Sequence, residues 1–248
     1  MSKFETFAKL HVAGDPIVLF NVWDAGSAAA VAKSGATAIA TGSASVSMAN
    51  GFGDGEEVPL EFAIANAERI VGAVDLPVTV DFEGGYAEAA GTLSANGRRL
   101  AATGAIGCNF EDQVVGTDRL YSIADQAARI AALRDRVSGD FFINARTDLF
   151  LKAKSDDHDA TLADQAIERG KAYADAGANG LFIPGLANLA LVERITAAVA
   201  LPVNAMHLPK GPTRREWASA GIARVSHGPF PFMAMQEWLT EQARAALS

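Results

Sequence analysis

The sequence predicts a single α/β domain over residues 1–248 with the architecture of a TIM-type (β/α)8 barrel. Short apolar runs alternate with longer stretches of helical periodicity, and eight such runs fit into 248 residues. The first run lacks the Gly-rich phosphate loop that usually follows the first strand of an open doubly wound sheet, the alternative fold. No linker rich in Ser, Pro or Gly divides the chain, so one domain is expected.

The predicted elements alternate as a barrel requires. The strands are predicted at residues 17–23, 38–42, 77–83, 107–112, 141–147, 180–185, 202–207 and 223–228. Helical periodicity is clearest at residues 60–71, 125–137 and 159–176, and a short helix around residues 235–247 follows the last strand. Gly35, Gly177 and Gly221 each stand between a helical stretch and a strand, where glycine adopts the left-handed conformation that ends a helix.

Composition and charge argue against several classes of partner. The net charge is -8 and no block of Lys or Arg stands out, so nucleic-acid binding is not expected. The N-terminus lacks the apolar region of a secretory signal, and no apolar run could span a bilayer; a cytoplasmic protein without a membrane partner is predicted. Cys108 is the single cysteine, which excludes a disulfide framework and a cysteine-based zinc site.

Carboxylates gather at the carboxyl ends of two consecutive predicted strands. Asp81 and Glu83 end the third strand with an i, i+2 spacing that points both side chains to one side, and two glycines follow. Glu111 ends the fourth strand. These ends meet at the barrel mouth that carries the active site, and clustered carboxylates suit a hard divalent cation. Arg146 ends the fifth strand, where its guanidinium could fork onto an anionic substrate.

The same residues also allow structural interpretations. Asp81 and Glu83 could cap helices or form salt bridges in loops. Arg146 could form a structural bridge with Glu111 or Asp148, and would still lie in the same mouth. The i, i+2 pair followed by two glycines favours the functional interpretation for the third strand.

Histidines and a Gly-rich loop are weaker signals. His207 and His227 follow the last two strands, where a lone histidine is more often a hydrogen-bonded filler. The loop at residues 49–56 lies too far past the second strand to be a phosphate cradle and is predicted to be a mobile flap. Asp54 within it is either solvent-exposed and idle or an acid lying over the metal.

Five short motifs stand at the strand ends in a fixed order. They are Asn21-Val22-Trp23-Asp24, Gly51-Phe52-Gly53-Asp54-Gly55, Asp81-Phe82-Glu83-Gly84-Gly85-Tyr86, Asn109-Phe110-Glu111-Asp112 and Asn144-Ala145-Arg146-Thr147-Asp148. Each motif alone is moderately specific, and five in this order on eight strands are a strong signal. Over about residues 20–229 the chain resembles the isocitrate lyase/phosphoenolpyruvate mutase superfamily.

The resemblance implies a Mg²⁺-dependent enzyme, with Mn²⁺ as an alternative cofactor. The positions matching Asp81, Glu83 and Glu111 would hold the metal, largely through water, with Asp54 nearby. The substrate would be a small 2-keto or 2-hydroxy acid that chelates the metal, which acts as a Lewis acid and stabilises a pyruvate enolate. A homo-oligomer, either a dimer or a tetramer, is also implied, often with the last helices exchanged between subunits.

The resemblance also implies a set of substrate contacts. Backbone N–H groups near Ser43 and Ala44 would hold the substrate carboxylate, and Arg146 would bind the far end of the substrate. Trp23 would form a wall of the pocket. The candidate catalytic residues are Arg146, Asp54 and His207, and the candidate substrate-binding residues are Trp23, Ser43, Ala44, Arg146 and Asn204.

One departure from the superfamily pattern narrows the expected chemistry. Members that cleave isocitrate-like acids carry a Lys-Lys-Cys-Gly-His or Lys-Arg-Cys-Gly-His loop after the fourth strand, whereas residues 113–121 here contain no Cys, Lys or His. The leading hypothesis is therefore a C–C lyase that cleaves a small 2-keto or 2-hydroxy dicarboxylic acid by decarboxylation or retro-aldol cleavage. The alternatives are phosphoenolpyruvate/phosphonopyruvate mutase or hydrolase chemistry at a P–C bond, and a catalytically inactive barrel with a binding role.

Overall fold

Eight parallel strands form a ring in the computed structural model, which describes residues 1–137 and 139–248. The strands are β1 (Ile17–Leu19), β2 (Ile39–Ala40), β3 (Val78–Asp81), β4 (Gly107–Glu111), β5 (Phe142–Arg146), β6 (Gly180–Phe182), β7 (Val203–Met206) and β8 (Arg224–Ser226). They pair in the order β1-β8-β7-β6-β5-β4-β3-β2, and a bridge between Val22 and Thr41 joins β1 to β2. The predicted TIM-type barrel is confirmed.

The strands are shorter than predicted, because the chain leaves the extended conformation at the barrel mouth. β3 ends at Asp81, and two residues later Glu83 adopts a φ of 50°, which lies in the left-handed region and cannot continue a strand. The residues predicted to end the strands therefore lie partly in the connections that follow them.

Helices surround the ring. In the described part of the chain they are α1 (Lys3–Lys9), α2 (Ala25–Lys33), α3 (Ser43–Ala49), α4 (Leu60–Ala73), α5 (Ala90–Ala102), α6 (Ile123–Arg134), α7 (Leu149–Lys152), α8 (Ala160–Asp175), α9 (Leu189–Ala198), α10 (Arg214–Ser219) and α11 (Phe230–Leu247), with a 3₁₀ turn at Ser155–Asp157. Gly35, Gly177 and Gly221 have φ values of 94°, 98° and 79°, as their predicted role in ending helices requires. None of the helices built from described residues is both long and apolar enough to cross a membrane.

The C-terminal helix differs from its prediction. It was expected to be short, around residues 235–247, but α11 begins at Phe230 and has 18 residues. The helix can begin before Pro231 because proline is compatible with the first turn, where the N–H that it lacks would have no partner.

Apolar side chains pack on both sides of the strands. On the outside, Ile143 and Ala145 of β5 belong to the large core between the ring and the helices. On the inside, Phe7 of α1 packs with Ile17 and Phe142, which begin β1 and β5. α1 therefore plugs the end of the barrel at which the strands start.

Above this plug the interior of the barrel is polar. Asn109, Asn144, Asn204 and Arg224 are all buried. Arg224 on β8 donates to Asn109 on β4, and because these strands are not neighbours in the ring, the contact crosses the interior. Barrels usually fill this space with bulky branched side chains, so the polar filling is a distinguishing feature of this molecule.

Candidate active site

A cavity of about 220 Å³ opens at the carboxyl ends of the strands. Its lining comprises Asn21, Gly42, Ser43, Ala44, Asp54, Asp81, Asn109, Arg146, Leu151, Phe182, Pro184, Met206, Ser226, Gly228 and Pro229. The two sides of this lining differ in chemistry. The carboxylates of Asp54 and Asp81 lie on the side of β2 to β4, and we call this the acidic side. Along β6 and β7 and the connections that follow β5, β6 and β8, the lining is largely apolar, and we call this the apolar arc.

Asp81 is the best-held carboxylate of the acidic side. Its Oδ2 accepts hydrogen bonds from the backbone N–H and the hydroxyl of Ser43, both at 3.1 Å. Its Oδ1 accepts a bond of 3.3 Å from the side-chain amide of Asn109, the neighbouring residue on β4. The N–H of Ser43, expected to hold a substrate carboxylate, is thus engaged with Asp81, while Ser43 and Ala44 do line the cavity.

Arg146 lies between two carboxylates. Its Nη1 is 3.0 Å from Oε2 of Glu111, and its Nε and Nη2 donate to both oxygens of Asp148 at 2.6 and 2.9 Å. Burial would lower the pKa of Arg146, but Glu111 and Asp148 raise it further above its usual range. Three of the five N–H groups of a guanidinium are used in these contacts, so two remain for a substrate.

Glu83 ties the loop between α3 and α4, residues 50–59 (the flap), to the end of β3. Its Oε2 accepts hydrogen bonds from the backbone N–H groups of Gly55 and Glu56 at 3.0 and 2.6 Å. In return, Glu56 accepts a bond of 2.7 Å from the N–H of Tyr86. The three residues Glu56, Glu83 and Tyr86 have φ values of 62°, 50° and 57° and are the only non-glycine residues with positive φ among those described. Such strain concentrates at functional sites.

Burial changes the proton affinity of these acids. It raises the pKa of Glu83 to about 7, and the charges of Asp81 and Asp54 act in the same direction. The pKa of Asp54 is also raised, first by burial and then by Asp81. Glu111 has a raised pKa because it is buried, although Arg146 opposes the shift. A bound cation would lower the pKa of these carboxylates again, because it favours their ionised forms.

The donor chemistry of the acidic side fits Mg²⁺ held largely through water. Within residues 1–137 and 139–248, no three His, Cys, Asp or Glu side chains are grouped to bind one ion directly. Asp81 and Asp54 face the cavity, whereas Glu83 and Glu111 lie outside its lining with partners of their own. Mg²⁺ keeps several of its waters and is commonly bound through one or two carboxylates. The roles of Asp81, Glu83 and Glu111 in holding the metal, largely through water, stay predictions.

Three predicted site residues lie away from the cavity lining. Trp23 packs edge-on against Phe232, with ring centroids 5.0 Å apart. Asn204 is buried in the barrel and donates to Ser226 at 3.3 Å. His207 stacks on His227 with ring centroids 4.4 Å apart. Their assigned roles in binding and catalysis remain predictions.

Several polar residues of the site have no role assigned from the sequence, although Asn21 and Asn109 stand in the five motifs. Asn21, Asn109 and Ser226 line the cavity, and Arg224 lies beneath it. A spacing of two residues along a strand links some of them to other polar residues: Asn109 precedes Glu111 by two positions, and Arg224 precedes Ser226 by two. Residues with this spacing share a face, so the polar face would have pointed into the barrel.

Comparison with known proteins places this site in a family. The profile described as phosphoenolpyruvate phosphomutase matches residues 7–247. The crystal structure of a Burkholderia cenocepacia J2315 protein, provisionally described as a phosphonomutase, is 48% identical, covers 98% of both chains and has a TM-score of 0.96. The uncharacterized protein Rv1998c of Mycobacterium tuberculosis is 33% identical over 97% of this chain and 88% of its own.

An enzyme is also among the relatives. The 2-methylisocitrate lyase of Escherichia coli K12 is 30% identical over 71% of this chain and 61% of its own length. The chain belongs to the phosphoenolpyruvate phosphomutase family within the isocitrate lyase/phosphoenolpyruvate mutase superfamily, and its homologues there include 2-methylisocitrate lyases, oxaloacetate decarboxylases and phosphoenolpyruvate mutases.

Proposed function

We propose that this protein is a Mg²⁺-dependent C–C lyase that decarboxylates a small 2-keto dicarboxylic acid: the electron pair of the breaking C–CO₂ bond forms a pyruvate-type enolate, which then takes up a proton from water. The observation that carries the proposal is the division of the cavity into an acidic side and an apolar arc. The acidic side supplies carboxylate oxygens for a hard cation, and the apolar arc supplies neither a charge nor a proton donor to a leaving group.

The residues of the acidic side support the first half of this chemistry. Asp81, with Asp54 on the flap, would hold Mg²⁺, and Glu83 and Glu111 would act through water. When bound, the ion would supply Lewis-acid stabilisation of the enolate oxygen. Ser43 and Asn109 fix the carboxylate of Asp81 by hydrogen bonds to its two oxygens, so that little rearrangement is needed on binding.

The apolar arc supports decarboxylation as the second half. Leu151, Phe182 and Met206 would exclude water from a departing carboxylate, which favours its loss as neutral CO₂. Arg146 can still orient that carboxylate with its remaining N–H groups, while Glu111 and Asp148 already balance its charge. CO₂ leaves without needing a proton, so this step is compatible with a lining whose described residues include no Cys, Lys or His.

The test is turnover of purified protein on C4–C6 2-keto dicarboxylic acids with Mg²⁺, measured as released CO₂ and 2-keto acid. Decarboxylation that is abolished by a chelator and restored by Mg²⁺ is expected. Asp81→Asn should lower kcat/KM by about 10- to 100-fold, because groups that hold or orient a bound metal typically contribute this much. Asp164→Asn, which changes an exposed ion pair with Arg194, is the matched control and should be unaffected. No product from any acid in the panel would contradict the proposal.

A second candidate is chemistry at a P–C bond. It is favoured by the 48% identical protein described as a phosphonomutase. A phosphonate group carries up to two negative charges and is usually held by several cationic donors, whereas Arg146 is the one cation among the residues lining the cavity. Incubation with phosphonopyruvate followed by phosphorus NMR decides between the two: a shifted signal would establish the second candidate, and an unchanged spectrum would remove it.

A further inference from the structure

Arg224 is a buried cation without a carboxylate in contact with it. Its side chain is fully buried in the barrel interior. Its Nε donates to the hydroxyl of Ser226 at 3.1 Å, and its Nη2 donates to Oδ1 of Asn109 at 3.2 Å. Its Nη1 finds no hydrogen-bond partner among the described residues. Burial lowers the pKa of Arg224 to about 9, so the guanidinium stays charged at neutral pH.

Stability alone does not account for this arrangement. Placing a charge in the interior without an opposite charge in contact is unfavourable, and apolar residues of similar size are often at least as stabilising. Strand β6, the neighbour of β5, nevertheless accommodates a second polar side chain of the interior. It has a glycine, Gly180, where a Cβ would lie 2.7 Å from Oδ1 of Asn144. A buried charge that lowers stability and is present nevertheless indicates a functional use.

The contact with Asn109 has a directional consequence. A side-chain amide can be turned by 180°, which exchanges its oxygen and nitrogen. The guanidinium of Arg224 can only donate, so it requires the oxygen of Asn109 to face the barrel axis. Asn144 donates to the same oxygen at 2.9 Å, but its own amide can also turn. On the side of the barrel axis, Arg224 is therefore the group that fixes the orientation of the Asn109 amide.

The orientation of Asn109 reaches the acidic side of the cavity. With its oxygen held by Arg224, Asn109 must present its N–H₂ to Oδ1 of Asp81, as it does at 3.3 Å. The turned amide would place an oxygen lone pair against that carboxylate. The Asp81 carboxylate would then be repelled from the position that Ser43 and Asn109 give it.

We propose that Arg224 is a positioning residue that locks the Asn109 amide, and through it the Asp81 carboxylate, in the orientation that binds the divalent cation. The inference rests on the proposed function, because it takes Asp81 as a metal-holding residue. Arg224 itself touches neither metal nor substrate. Its hydrogen bonds reach Asp81 through Asn109.

The test is a double-mutant cycle read by calorimetric titration of the full chain with MgCl₂. Arg224→Met and Asn109→Ala should each weaken Mg²⁺ binding by about 10-fold, as is typical for groups that orient a metal ligand. The double variant should be no more than about threefold weaker than either single variant, because both changes break the same chain. Arg224→Lys keeps a pure donor and should recover most of the affinity. Arg194→Met removes an exposed arginine and is the matched control.

Thermal melting separates positioning from general stability. Arg224→Met should melt at or above the temperature of the wild type, since it removes an unpaired buried charge. Should this variant fail to fold, Arg224→Gln replaces it, because glutamine both donates and accepts and so cannot decide the orientation of Asn109.

The outcomes of the titration are distinct. A dissociation constant for Arg224→Met within twofold of the wild type, or a double variant equal to the product of the two single effects, would overturn the positioning role. A wild-type chain that takes up no Mg²⁺ would overturn the proposed function, and this inference with it.

Discussion

Glu83 unites backbone strain, burial and contact with the flap in one residue. Its left-handed conformation turns the chain at the end of β3, and its carboxylate receives two N–H groups from the flap. Burial nevertheless raises its pKa to about 7, so hydrogen bonding does not fully compensate for the loss of water. In the metal-free protein near pH 7, the Glu83 side chain therefore exists in both its neutral and its charged form.

This shift predicts a pH dependence of stability in the absence of metal. The folded-state pKa of Glu83 is above the ordinary value of 4.5, so the folded protein binds the proton more tightly than the unfolded chain. Its contribution is full below about pH 4.5 and is lost as the pH rises to about 7, with a slope of at most about 1.4 kcal/mol per pH unit. Melting temperatures recorded with a chelator between pH 5 and 8 should fall less steeply with pH for Glu83→Gln than for the wild type. Glu68→Gln, an exposed change on α4, is the control; an equal slope in Glu83→Gln and wild type would refute the prediction.

At the scale of elements, the turn after β3 leads from the strand into the loops that form the barrel mouth. Gly85 has a φ of 82°, and its α-carbon lies against the core. A methyl group at this position would overlap the side chain of Leu93 and come within 3.1 Å of the ring of Phe110. The turn thus requires glycine for both its conformation and its packing.

Gly85→Ala should lower the free energy of unfolding by roughly 2–4 kcal/mol, the sum of a left-handed alanine and an overpacked core. Chemical denaturation measures this loss. Gly72→Ala, in the last turn of α4 with open space around the new methyl group, should instead raise the free energy by up to about 1 kcal/mol. Similar free energies of unfolding for the two variants would show that the close contact at Gly85 does not destabilise the fold.

Elements with a clear period could be predicted from the sequence, and their ends could not. The apolar runs of eight strands and the helix-ending glycines identified the ring, because both signals are local. The end of β3 was misplaced because the left-handed conformation of Glu83 depends on flap contacts distant in sequence. The start of α11 lies earlier than predicted, since Pro231 occupies a first-turn position that tolerates proline.

The site shows the same division between local and non-local signals. Carboxylates at strand ends were visible as a pattern, so Asp81 was assigned to the metal before its surroundings were known. Arg224 was overlooked because barrel interiors are expected to be apolar, and its value depends on a partner on β4. The pairing of His207 with His227 likewise needed the fold that brings β7 beside β8.

At the scale of the whole molecule, α11 stands away from the barrel. After Phe232 nearly all of its side chains are exposed, including Trp238 at 59%, Leu239 at 54% and Leu247 at 88%. A helix of this length is marginal in water without packing, and burying such residues is favourable. We therefore propose that α11 packs against a second copy of the chain, in keeping with the oligomer expected from the superfamily resemblance.

Light scattering on purified protein at micromolar concentration should accordingly give a mass of a dimer or a tetramer. Trp238→Glu combined with Leu239→Glu should shift the mass to that of a monomer, because two charges would be buried in the contact. Gln236→Glu adds one charge at an exposed position of the same helix and serves as the control. A wild-type chain that is monomeric at this concentration would rule the contact out.

The contact between Arg224 and Asn109 joins residues 115 positions apart. Synthesis proceeds from the N-terminus, so β3 and β4, with their carboxylates, leave the ribosome well before β8 exists. During that interval the Asn109 amide lacks the guanidinium that holds its oxygen toward the barrel axis. The strand that closes the ring is therefore also the strand that completes the support of the Asp81 carboxylate, so a chain interrupted before β8 would carry its acidic residues without their final orientation.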